Sequence, residues 1–262
     1  MIQEKRTDAL VTITDVVKRI QPESGRPPLT ILDGLSLNVS HGEVVALFGP
    51  NGCGKTTFLS LLAGLQQPDG GTIRFDREKQ SGQVGYAFQH FADSLFPWGT
   101  VLDNIGLKLR IEGYSKKEAR TQAREFADAL GVSLPWDAYP YQLSGGQKQL
   151  TALLRTLAFR PSLCLLDEPF SALDYQNSLD IMMKMSSLWH ATGTTVVLIS
   201  HDIEQAIFLA DRLVVLTKLP MKPKQVIDIP FPKPRQIELL ESEEFFRLRS
   251  LALSVFVKEV SQ

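Results

Sequence analysis

Nine consecutive residues, Gly49-Pro50-Asn51-Gly52-Cys53-Gly54-Lys55-Thr56-Thr57, place glycines, a lysine and a hydroxyl at the spacing G-x-x-x-x-G-K-[ST]. Backbone N–H groups of such a turn, aimed from the start of a helix, compensate phosphate charge. Lys55 adds a full positive charge, and Thr56 a hydroxyl suited to Mg²⁺. Four further positions carry chemistry. Asp167 and Glu168 end an apolar run, where one carboxylate can orient Mg²⁺ and the other can polarise water for in-line attack, as general base or as water-positioner. His201 and Gln89 each follow another apolar run, where a ring nitrogen or an amide oxygen can meet a terminal phosphate, a metal or the attacking water. Leu143-Ser144-Gly145-Gly146-Gln147 makes a second glycine-rich helix start, hence a second anion-binding device or a plain N-cap turn.

Those residues need strands to end beside them. Glu43 to Phe48 is a short apolar run suited to a buried strand, and Phe58 to Leu65 is apolar and helix-compatible. Leu10 to Val17 and Ile31 to Val39 alternate like antiparallel strands, joined by a polar loop from Gln21 to Pro28. Thr72 to Phe75 and Val84 to Phe88 are further strands, separated by a polar connection from Asp76 to Gly82. Leu163 to Leu166, Thr194 to Ile199 and Leu213 to Leu216 complete the set. Helices are expected over Val101 to Arg110, from a Ser115/Glu118 capping box through Leu130, up to Phe159, over Tyr175 to Trp189, and over Ile203 to Ala210. Strands alternating with helices imply a doubly wound parallel sheet with ligands at the strands' carboxyl ends. The second glycine turn is set apart from the first by the helical segment, so a dimer is expected in which each chain's second turn closes on the other's nucleotide.

Composition narrows the classes. With 262 residues and 44% hydrophobic content, one sizeable domain with an insertion or a small appendage is expected. Lys plus Arg total 28 and Asp plus Glu 29, so no global field draws the chain to nucleic acid or anionic lipid. No run of about 18 apolar residues occurs, and Met1 to Ala9 lacks an apolar leader, which reads as a cytosolic chain that cannot cross a bilayer alone. Cys53 and Cys164 suggest neither disulfide nor metal site. His41, His90 and His190 read as surface or loop residues.

Taken in order, Gly49 to Thr57, Gln89, Leu143 to Gln147, Leu163 to Pro169, Ser171-Ala172-Leu173-Asp174 and His201 resemble the six signatures of ATP-binding-cassette ATPases: Walker A loop, Q-loop, signature motif, Walker B strand with its glutamate, D-loop and switch histidine. The resemblance runs from about Leu10 to Thr217. It implies a P-loop NTPase (RecA-like) α/β core with an antiparallel β subdomain and an inserted helical subdomain at about 90–142, within a domain 1–217. Residues 218–262 would be a tail whose last helix is capped by Ser242. ATP and Mg²⁺ are the implied cofactors. Glu168, His201 and Gln89 would be catalytic, Thr56, Gln89 and Asp167 metal-holding, and Gly49 to Thr57, Ser144 to Gln147 and Asp174 nucleotide-binding.

Leu95-Phe96-Pro97-Trp98-Gly99-Thr100-Val101-Leu102-Asp103-Asn104, Asp167-Glu168-Pro169-Phe170-Ser171-Ala172-Leu173-Asp174 and the tail Lys233-Pro234-Arg235 with its terminal helix are similar to importer subunits for nitrate, aliphatic sulfonates and taurine. That narrower resemblance implies two permease subunits, a second cassette, an extracytoplasmic solute-binding protein and a peripheral place on the cytoplasmic membrane face, without nucleic acid. Three departures stand out. No aromatic residue occurs around Lys18-Arg19-Ile20 to stack on adenine, leaving an aliphatic such as Ile20. The segment from Gln89 to Pro97 is slightly long. Leu150 follows Gln149 where cassettes often have Arg, a change expected to be tolerated at a helix surface. A cassette protein serving ribosomes or DNA is disfavoured by length, and an ordinary GTPase by the lack of an Asn-Lys-x-Asp motif.

Overall fold

The computed structural model describes residues 8–21, 27–76, 84–89, 91–171 and 173–261. The expected loop from Gln21 to Pro28 and the connection from Asp76 to Gly82 lie largely outside these residues, as do His90 and Ala172. Two long strands, β1 (Ala9–Ile20) and β2 (Leu29–Ser40), alternate buried and exposed residues and pair antiparallel. The strand β3 (Val44–Phe48) is buried throughout and delivers the phosphate-type turn to helix α1 (Lys55–Leu62). Next come β4 (Gly70–Phe75), which joins the first sheet in the order β2-β1-β4, and β5 (Val84–Ala87).

The region expected to be helical follows. Its first part is not the single helix Val101 to Arg110 but two short ones, α2 (Val101–Ile105) and α3 (Leu107–Ile111), divided at Gly106. The Ala119 carbonyl oxygen lies 2.9 Å from where a Cβ on Gly106 would stand, so the glycine permits a close helix crossing and the chain bends there. Helix α4 (Lys116–Ala129) opens on the Ser115/Glu118 capping box and is followed by Gly131 at φ 61. Its alanines 119, 123 and 127 pack with Val101, Ile105 and Leu154 in and around a separate small core.

Helix α5 (Gly145–Leu157), strand β6 (Leu163–Asp167), helix α6 (Tyr175–Thr192), strand β7 (Thr195–Ile199), helix α7 (Ile203–Leu209) and strand β8 (Arg212–Leu216) follow. The main sheet has the order β5-β6-β7-β3-β8-β9, parallel except at its last pair. That last strand, β9 (Pro223–Asp228), was not expected from a Pro- and Lys-rich composition, and it pairs antiparallel with β8. Helix α8 (Glu243–Val260) begins at Ser242, whose hydroxyl accepts from the Phe245 N–H at 3.2 Å. It buries Phe245, Leu248 and Ala252 against the core that holds β3 and α7. β3, β6 and β7 are buried over their whole length because helices and the antiparallel sheet cover both faces, which is why they read as unbroken apolar runs rather than alternations.

Arg235 is a buried cation that ties the tail to this body. Its guanidinium donates to the carbonyls of Ile207 and Phe208, at 2.9 and 2.6 Å, at the end of α7. Burial pushes it down to about 10, against the opposing pull of Asp211. It therefore remains charged near neutrality and meets the negative end of a helix.

Candidate functional site

The turn after β3 is shaped by two glycines that no other residue could replace without displacement. A Cβ on Gly49 would lie 2.8 Å from Leu216 Cβ, and one on Gly54 would lie 2.5 Å from Ile31 Cγ2 at a φ of +112. With Gly54 as N-cap, no side chain caps α1, and the helix start faces the cleft. Lys55 is buried, and its ammonium donates to the carbonyls of Gly49 and Pro50, both at 2.8 Å. Cys53 lies beneath the turn, where burial pushes its thiol up, with Lys55 opposing.

A cleft of about 560 Å³ opens over this turn, lined by Asn51, Gly52, Gly54, Lys55, Thr56, Thr57, Gln89, Asp167, Glu168 and His201, with Ile31 and Ile199. Four strand ends of the main sheet, those of β3, β5, β6 and β7, thus bring together what the sequence scatters over some 150 residues. The Thr56 hydroxyl donates to Asp167 Oδ2 at 2.7 Å. Burial pushes the Asp167 carboxyl above its usual range, and the neighbouring Glu168 adds to the push, while the Thr56 hydroxyl and Lys55 ammonium oppose it. A carboxylate so situated gains from a cation placed beside it.

Glu168 occupies left-handed backbone at φ 52. Its N–H donates to Ile199 O at 3.0 Å, and its carbonyl accepts from the Ser171 hydroxyl at 3.1 Å and the Ser171 N–H at 3.3 Å. These bonds hold a conformation that a glutamate disfavours. They carry its Oε2 to 3.4 Å from His201 Nδ1 and 3.5 Å from Gln89 Nε2.

The second glycine turn lies elsewhere. Ser144 and Gln147 form a reciprocal capping box at the start of α5, and neither lines the cleft. Gly145 has open space where a side chain would be, whereas Gly146 sits 3.0 Å, in Cβ terms, from Leu173. Asp174 caps α6 by accepting from the Asn177 N–H at 2.9 Å, and that bond holds its carboxyl below the usual range.

Residues 32–171 match the family described as ABC transporter. The chain belongs to the ABC transporter family. Among its relatives is an uncharacterized ABC transporter ATP-binding protein of Methanocaldococcus jannaschii, 38% identical over 87% of this chain and 85% of the relative. A nitrate import ATP-binding protein of Synechocystis is 37% identical over 85% of this chain and 86% of its own. A bicarbonate transport ATP-binding protein of Synechococcus elongatus is 35% identical over 94% and 90%. The fold superposes with TM-score 0.74 on a dimeric ATP-binding cassette in a post-hydrolysis state with ADP and Pi, 29% identical, over 85% of this chain and 100% of that one. The P-loop NTPase fold and the family expected from the motifs are both borne out, and the chain is an ATPase of this family.

The ABC fold corrects one expectation. Leu150 is not a helix-surface residue: it packs against both the main core and the helical core, so an apolar side chain belongs there. Its neighbour Gln149 is buried and donates to the Pro169 carbonyl, linking α5 to the segment after Glu168. The long Gln89–Pro97 segment includes a 3-10 turn, Phe91–Ser94, whose Ser94 carbonyl accepts from Arg155 at 2.9 Å. Ile31 and the tyrosines flanking Pro140 were not singled out from sequence as site residues. Only the last carried a signal, two aromatics spaced around a proline just before Ser144.

Proposed function

We propose that this chain is the ATP-hydrolysing subunit of an importer for a small anion such as nitrate, bicarbonate, a sulfonate or taurine. The observation that supports it most is the single cleft that joins Lys55, the Thr56–Asp167 pair and the Glu168–His201–Gln89 group. The fit to MgATP follows from the chemistry of the donors. An ammonium bonded, among the described residues, to two backbone carbonyls, a helix start without a side-chain cap and a buried carboxylate raised by its surroundings all match a phosphate chain and a divalent cation.

Lys55 and the N–H groups of the turn would bind the phosphates. Thr56, Asp167 and Gln89 would hold Mg²⁺, which when bound compensates charge on the transferred phosphoryl group. Glu168, with its side chain 18% exposed, positions a water and takes up its proton, while His201 and Gln89 orient the carboxylate. Catalysis on this reading is mostly placement and charge compensation.

Ser144 to Gln147, together with Asp174, would complete the cleft of a second cassette. The helical subdomain would dock the permease pair. Trp98 is 75% exposed and its ring lies 5.1 Å from that of Phe96, which suits this contact. No helix among the described residues is long and apolar enough to cross a membrane. The chain would sit peripherally at the cytoplasmic face, with an extracytoplasmic binding protein choosing the solute. Phosphate release by the purified chain with MgATP tests the core of this reading: Lys55→Ala should lower it roughly 100-fold or more. Undiminished release in that variant would defeat the assignment of the cleft.

A further inference from the structure

Tyr139 and Tyr141 flank Pro140 in a 3-10 turn, Pro140–Gln142, that ends just before the Ser144 helix start. Pro140 is buried, and the Gln142 amide oxygen accepts from the Tyr139 N–H at 2.8 Å, which fixes the turn. The two rings stack with planes 9° apart and centroids 5.8 Å apart. Tyr141 is nevertheless 73% exposed. A rigid aromatic pair left in water invites a partner with a flat apolar face.

The cleft described above has the complementary property. Among the described residues that line it there is no Phe, Tyr or Trp, and the large apolar side chains there are Ile31 and Ile199. Within one chain the tyrosines do not line it. A purine held there by its phosphates therefore leaves its π-face to aliphatic contact, although base–aromatic stacking is among the larger sequence-tolerant terms in nucleotide binding. From Ala138 to Thr151 the chain has no carboxylate and one lysine, Lys148, and the exposed Asp137 just before it is paired with Arg120.

We propose that Tyr141 of one copy of this chain stacks on the purine of the nucleotide held in the cleft of a second copy, with Tyr139 supporting the ring. This rests on the two-chain site proposed above and makes Tyr141 a residue for base affinity and selectivity. The ring adds apolar contact supplied across the interface, so base discrimination belongs to the closed dimer rather than to either chain alone.

Steady-state hydrolysis by the full chain tests it. Tyr141→Ala should raise the KM for MgATP by roughly 5- to 150-fold, with kcat nearly retained. Inhibition by magnesium tripolyphosphate, which has no base, should be unmoved, and Tyr141→Phe should keep the low KM. Mixing Tyr141→Ala chains with Lys55→Ala chains should recover low-KM activity, because one composite cleft then has both an intact lysine and an intact tyrosine. No recovery would overturn the trans assignment. If Ser144→Arg leaves turnover intact, the two-chain site itself fails. If Ser144→Arg abolishes turnover while Tyr141→Ala keeps the wild-type KM, only the tyrosine assignment fails. A Tyr141→Ala defect confined to coupling with the permease would likewise overturn it and assign the surface to the membrane partner.

Discussion

Glu168 is held where its own backbone resists, and replacing it with glycine should stabilise the chain while ending turnover. At φ 52 an L-residue costs about 1–2 kcal/mol relative to glycine. Glycine returns about 0.4–1 kcal/mol of that through the freedom it gains when unfolded. Removal of a carboxylate beside the buried Asp167 acts in the favourable direction. The net gain is about 0.5–1 kcal/mol, or roughly 1–4 °C in Tm for a domain of this size. Calorimetry without nucleotide, comparing Glu168→Gly with Glu168→Gln, isolates the backbone share, since glutamine keeps the strain and loses the charge. Phosphate release should be abolished in both, and the glutamine variant should accumulate as an ATP-bound dimer in size-exclusion chromatography. A glycine variant that melts below the glutamine variant would refute the strain argument, and undiminished hydrolysis in either would remove Glu168 from its role.

Asp167→Asn should stabilise the nucleotide-free chain at neutral pH. The folded chain holds a proton on Asp167 more tightly than the unfolded one, so wild-type stability falls as pH rises through that raised value. Denaturant midpoints across pH should show the advantage of the variant at neutral pH and its disappearance below about 3.8, the ordinary carboxyl value; a constant offset would contradict the cause assigned. Arg235→Ala leaves two helix-end carbonyls without their cation and Asp211 with Lys233 as its cation, and should cost about 3 kcal/mol, or roughly 6–12 °C in Tm. A loss under about 1 kcal/mol would show that the tail is held by α8 instead.

The parts legible in sequence were those whose signal is local. The spacing from Gly49 to Thr57, the Ser115/Glu118 box, the helix start at Ser144 and the apolar runs of β3, β6 and β7 each specify their own conformation. What stayed hidden depends on distant neighbours. The bend at Gly106 arises from an approach by Ala119, and the strand Pro223–Asp228 exists because β8 offers an edge. The left-handed turn at Glu168 is imposed by Ile199 and Ser171, and nothing in the residue type announces it. Leu150 looked superficial because the helix repeat alone does not show that two cores meet at α5.

The strand order also governs when the site can exist. β3 carries the lysine turn, yet both strands that flank it, β7 and β8, come about 150 residues or more later in the chain. A ribosome releasing the chain from its N-terminus would expose an apolar strand and a glycine-rich turn without either flanking strand until β7 and then β8 have emerged. During synthesis, ATP would find its lysine early but a finished cleft only near the end, so nascent fragments should be unable to hydrolyse it and should depend on protection of β3 from aggregation.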